Sequence, residues 1–141
     1  VNRDATITRA ISDAREAATI AESYQQKALS AMRVARSARW HALTAAEKGD
    51  MTRARQAAFA VAEHVANAHE AANRAEAATR DSRDARDSTL RWADDPEVAE
   101  DLRLILDAVD DALDALEHAR TSAHRAHYAL AAVHHILEAE A

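Results

Sequence analysis

The chain has 141 residues, with 24 acids against 18 bases for a formal charge of −6 when the eight histidines are neutral, one glycine, one proline and no cysteine. Of its 48% hydrophobic residues, 39 are alanine and only 29 are larger. Disulfide scaffolds, thiolate metal sites and thiol catalysis are excluded by the missing cysteine, and β-rich folds by the missing turn residues and β-branched alternation. No apolar run approaches the about 20 residues a membrane span needs, and none resembles a signal peptide, so the expected location is cytoplasmic.

The single glycine and single proline divide the chain into near-thirds. The first predicted helix covers about 4–47 and carries two heptad-spaced columns. One is Ile7, Ala14, Ala21, Ala28, Ala35 and Ala42; the other is Ala10, Ala17, Tyr24, Ala31, Ala38 and Ala45. Alanine has the best helix propensity and loses no rotamer entropy, so this segment favours helix locally. Off these columns, Leu29, Met32, Arg36, Trp40 and Leu43 form a second row, with Arg33 and Arg39 beside it. A large aromatic on a face expected to be wet marks an interface more strongly than a lone leucine does.

Gly49-Asp50 reads as a helix stop followed by an N-cap. The second predicted helix, about 51–92, continues the stripe through Ala54, Ala57, Val61, Val65, Ala68, Ala71, Ala75 and Ala78, with Phe59 off it. Residues 66–89 contain nothing apolar larger than alanine, and Arg80 to Asp87 is almost all charge. Such a run reads as a solvated helix laced by short-range ion pairs, the favoured reading, or as a frayed helix end.

Asp94-Asp95-Pro96-Glu97 is a second start signal, with an aspartate cap and proline at the first helical position. The third predicted helix, about 96–139, has columns Leu102, Val109, Leu116, Ala123, Leu130, Leu137 and Ile105, Ala112, Ala119, Ala126, Val133. Its large side chains are expected to pack on the alanine faces of the other two helices, matching volumes across the core. The fold class predicted is all-α: one domain over 1–141, an elongated antiparallel three-helix bundle with alanine-rich, coiled-coil-like heptad packing. At ~40 residues per helix it would be roughly 60 Å long.

Charge is uneven along this frame. Residues 94–117 hold ten acids and only Arg103 as a base, whereas 27–55 hold seven bases against Glu47 and Asp50. Asp110-Asp111-Ala112-Leu113-Asp114 spells the DDxxD pattern of isoprenoid synthases, but those enzymes need a larger helical barrel and a second metal motif. All three aspartates fall outside the helix stripe. Five histidines lie within 18 residues; His124, His127, His134 and His135 are the weak metal-ligand candidates, with no complete ligand set among them. Arg120 and His127-Tyr128 are spaced similarly to the Arg and His of HEPN-type ribonucleases, which are also small helical bundles. That likeness spans eight residues, lacks the polar residue that follows the arginine, and assigns no activity.

The expected function is therefore a non-catalytic helical protein–protein interaction or scaffold module that self-associates and uses no cofactor. Its candidate partner-binding residues are Leu29, Met32, Arg33, Arg36, Arg39, Trp40, Leu43 and Phe59. The alternatives are a nucleic-acid-binding module using Arg33, Arg36, Arg39, Arg53 and Arg55, or a histidine-based metal-binding bundle. No membrane partner is expected.

Overall fold

The sequence breaks helices at the two expected places, for local reasons visible in the backbone. The computed structural model describes residues 2–139, with α1 over Arg3–Glu47, α2 over Met51–Asp87 and α3 over Ala99–Glu138. Asn2 caps α1, its Oδ1 accepting from the Ala5 N–H at 3.1 Å. Gly49 closes that helix at φ +78°, the left-handed region that a side chain disfavours. The Gly49 N–H donates to the Ala46 carbonyl at 3.0 Å and the Asp50 N–H to that of Ala45 at 2.9 Å, which satisfies two orphaned carbonyls. Asp50 then caps α2 by accepting from the Arg53 N–H at 3.2 Å.

The end of α2 differs from the sequence expectation: the helix stops at Asp87 rather than near 92. The Ser88 and Thr89 hydroxyls donate to the Ala85 and Arg86 carbonyls at 2.6 and 2.7 Å. Such local bonds give the backbone an alternative to continuing the helix. Two 3₁₀ turns follow, Leu90–Trp92 and Pro96–Val98. Asp95 caps the second, its Oδ1 accepting from the Glu97 N–H at 3.0 Å, and that turn runs directly into α3.

The chain is an all-α three-helix bundle, 93% helical, with contacts between every pair of long helices and no strands among the described residues. Among those residues, no helix is long and apolar enough to cross a membrane. Contacts divide it into two packed units, one from Val1–Gln25 and Asn73–His118 and a second from Gln26–Ala72 and Ala119–Ala141. Within each unit α1 runs antiparallel to α2 and parallel to α3, because the start of α1 meets the end of α2 and the start of α3.

In the first unit, Ala10, Ala14, Ala18 and Ala21 of α1 pack with Ala78 and Ala85 of α2 and with Ile105, Ala108, Ala112 and Ala115 of α3. The α2 heptad column continues past alanine through Ser82 and Thr89, and Thr79 beside it is buried as well. The Thr79 hydroxyl lies 2.8 Å from the Ala75 carbonyl oxygen and 3.2 Å from that of Ala112 on α3. One hydroxyl proton is thus placed between two acceptors, and a short α2 side chain reaches the α3 backbone. Alanine permits that approach, having no side chain beyond Cβ to hold helices apart. Ser82 donates to the Thr79 carbonyl at 2.7 Å. Among the described residues, no buried side-chain nitrogen or oxygen lacks a partner.

In the second unit, the covered columns are Ala28, Ala35 and Ala42 on α1, Ala54, Val61 and Ala68 on α2, and Ala119, Ala126 and Val133 on α3. The central column of α3 therefore runs Ile105, Ala112, Ala119, Ala126, Val133, and is largely alanine itself. Leu102, Leu130 and Leu137 are half-buried on its flank, and Leu104 and Leu106 are exposed. The expected set of large knobs against small faces is thus realised only in part. Val109 and Leu116 of the same flank are buried, so helices drawn together by alanine leave room for some large side chains and push the other leucines toward the edges.

Candidate interaction surface

The off-column row of α1 lies wholly in the second unit. Trp40 is 62% exposed, and its ring meets that of His41 edge-on, with centroids 5.1 Å apart and planes at 79°. Leu29 and Leu43 are half-buried, Arg33 and Arg36 are exposed, and Arg39 is half-buried. Met32 is 3% exposed and belongs to the core, so it supports the row from beneath and offers nothing to a partner. The periodic stripe located the core centre correctly, but the core extends one residue column further round α1 than the alanine pattern implied.

Among the described residues, Arg33, Arg36 and Arg39 make no ion pair or hydrogen bond, and residues 23–46 contain no acid at all. Three guanidinium groups beside an exposed indole are thus left with their donors free. Arginine's planar fork of donors and its ability to stack make this combination a common interface anchor.

Phe59 is also exposed, at 64%, but it does not join the Trp40 row. The flank of α1 facing α2 carries Lys27, Ala31 and Val34, which line a groove of about 380 Å³ with His64 and Asn67. At 3.6 residues per turn, the Leu29–Trp40 row lies about half a turn from those residues, on the flank toward α3. Phe59 falls on the row Arg55, Phe59, Ala62, Ala66, His69 of α2, which also faces α3. Arg55 Nη2 donates to the Ala139 carbonyl, and the His69 ring meets that of His127 with centroids 6.1 Å apart. The two exposed aromatics therefore flank α3 on opposite sides.

The basic corner is partly spent on its own chain. Arg53 sits 3.5 Å from Asp50, and Arg55 is held by the Ala139 carbonyl. Of the five arginines considered for nucleic acid, the three on α1 have no ion pair or hydrogen bond among the described residues.

The histidine candidates are exposed, and His124, His127 and His134 each meet a neighbour on their own or an adjacent helix. His124 packs edge-on against Tyr128 at 4.8 Å, and His134 Nε2 lies 2.6 Å from Glu138 Oε1. Among the described residues, no three histidine, aspartate or glutamate side chains gather as a metal-holding group. Asp110, Asp111 and Asp114 are exposed, with His118 Nδ1 placed 2.8 Å from the Asp114 carbonyl oxygen.

The first unit contributes two features that sequence reading missed. Arg3 bridges Asp4 at 3.1 Å, Asp95 at 2.7 Å and Glu97 at 3.2 Å, fastening the start of α1 to the turn before α3. Hydrogen bonding to Asp4 first, then to Glu97 and Asp95, raises the Arg3 pKa above its ordinary value. The second feature is a groove of about 700 Å³ between α1 and α2, walled by Asp13, Glu16, Asp81 and Asp84. Its sequence signal was available: two acidic pairs spaced i, i+3, each flanking an alanine column.

Comparison of the chain with protein-family models, with curated proteins and with solved structures gives no match.

Proposed function

We propose that this chain is a non-catalytic helical protein–protein interaction module that self-associates through the α1 face bearing Leu29, Arg33, Arg36, Trp40 and Leu43. The observation carrying this reading is the exposed Trp40 beside three arginines that have no partner among the described residues. Leaving a large aromatic in water forgoes its burial energy, and leaving guanidinium groups unpaired forgoes charge-assisted bonds; a partner supplies both. Nucleic-acid binding would use the same arginines. It is the weaker reading, because Arg53 and Arg55 are internally engaged and the chain is acidic overall.

The test is Trp40→Ala, followed by sedimentation mass and circular dichroism. Truncating an interface anchor costs about 2 kcal/mol, close to thirtyfold in affinity, with the helical signal retained. A wild-type chain that stays monomeric at every concentration, with the variant identical, would defeat the proposal.

A further inference from the structure

We propose that the partner of the Trp40 face is a second copy of this chain, which receives it in the acidic groove between α1 and α2 of its first unit. This pairing rests on the Trp40 face being an interface, as proposed above, and adds its occupant.

The groove has the shape and chemistry of a complement. Its floor is apolar, formed by Ala10, Ala17 and Ala85, and Ile20 stands at its edge 41% exposed. A volume of about 700 Å³ accommodates an indole together with a neighbouring guanidinium. Four carboxylates wall it against one base, Arg9, which already lies 3.8 Å from Asp13. The groove therefore selects an apolar body carrying positive charge. The α1 face presents the converse: an indole and two leucines with Arg33, Arg36 and Arg39, in a stretch of 24 residues (23–46) without an acid.

The groove of the second unit makes a useful contrast. It is about half as large, is lined by Lys27 and His64, and has no carboxylate, so it offers arginine nothing. An unrelated acidic protein would satisfy the Trp40 face but leave the acidic groove unmatched. A second copy brings a groove to the face at each contact, and because each chain carries both halves, successive contacts satisfy both. The two halves differ, so the contact is heterologous rather than a patch meeting itself.

Charge reversal on each half tests this directly. The face variant is Arg33→Glu with Arg36→Glu; the groove variant is Asp81→Arg with Asp84→Arg. All four positions are exposed, so both chains keep their cores, and circular dichroism checks that they do. Each variant alone should associate at least about tenfold more weakly than wild type, because like charges now meet. Mixed one to one, they should associate again, since the acidic face of one meets the basic groove of the other and a native face-to-groove contact also remains. Sedimentation velocity reads all three samples.

If Trp40→Ala weakens association but the groove variant associates like wild type, the groove is not the occupant's site and this pairing is overturned, while the Trp40 interface stands. Failure of the mixture to associate overturns it as well. Tight, salt-sensitive binding of a fluorescent single-stranded oligonucleotide, lost in the face variant, would assign the face to nucleic acid instead.

Discussion

The same three helices build two units with opposite surfaces. The first unit's segments hold eighteen acids against nine bases, a formal −9; the second unit's hold six acids against nine bases, a formal +3, and seven of the eight histidines. In the first, Arg3, Arg9, Arg80, Arg86 and Arg103 each lie within 3.8 Å of a carboxylate. In the second, Arg33, Arg36 and Arg39 have no ion pair among the described residues, and the exposed aromatics Trp40, Phe59 and Tyr128 all occur there. The cores differ less. Both are built on alanine with larger apolar residues among it, Ile7, Ile105, Val109 and Leu116 in the first and Met32, Val61, Val65, Val133 and Ile136 in the second, while the first buries hydroxyls at Thr79, Ser82 and Thr89 where the second buries Ser122. Alanine sets how closely the helices approach in both units, so the outer faces are where the two diverge in what they can bind.

Three measurements would break or sharpen this contrast. The largest effect is expected from Ile105→Ala in the first unit and Ile136→Ala in the second, both 1% exposed. Each should cost about 2–5 kcal/mol in chemical denaturation, because removing a large buried side chain from an alanine core leaves a cavity that rigid neighbours cannot fill. A cost under about 1 kcal/mol at either site alone would show that the two cores are not equivalent.

The next compares the two tryptophans. Trp92 is half-buried in the first unit with the Arg91 guanidinium 4.7 Å over its ring, whereas Trp40 is exposed. Trp92→Ala should lower the melting temperature, with a stability loss of about 1–3 kcal/mol, and leave the sedimentation mass unchanged. Trp40→Ala should do the reverse. Equivalent behaviour in both assays would erase the distinction between a structural and an interface aromatic.

The smallest effect is expected at the first unit's hydroxyl core. Thr79→Val keeps the shape and removes the donor between the Ala75 and Ala112 carbonyls. The loss should be about 1 kcal/mol, since the Ala75 and Ala112 carbonyls are left short of a donor while a buried methyl is gained. A more stable variant would show that the hydroxyl is there for reasons other than stability.

Much of the frame was legible because single residues carried it. Gly49 is the only residue able to take a left-handed turn without a steric penalty, and Asp95-Pro96 can start a helical segment but hardly continue one. The column Ile7 to Ala42 is buried throughout, as its spacing required. The candidate surface was legible in part. Trp40, Arg33 and Arg36 were found because large or charged residues lay off a continuous alanine stripe. Met32 was assigned to the same row and proved buried, because a stripe reveals its centre and not its width. The acidic groove was overlooked because its two walls are about 70 residues apart in sequence, at Asp13 and Asp84.

Sequence by itself determined that this chain is helical, where α1 gives way to α2, and which residue column of each helix faces inward. Those properties follow from propensity, backbone chirality and a seven-residue period, all of which act over one or two turns. Only the tertiary structure decided that Thr79, Ser82 and Thr89 would serve as core, that Leu102, Leu130 and Leu137 would sit half-buried beside the α3 centre, and that Trp40 and Phe59 would flank α3 on opposite sides. Those outcomes depend on the distance and rotation between packed helices, which three faces adjust together and no one helix encodes.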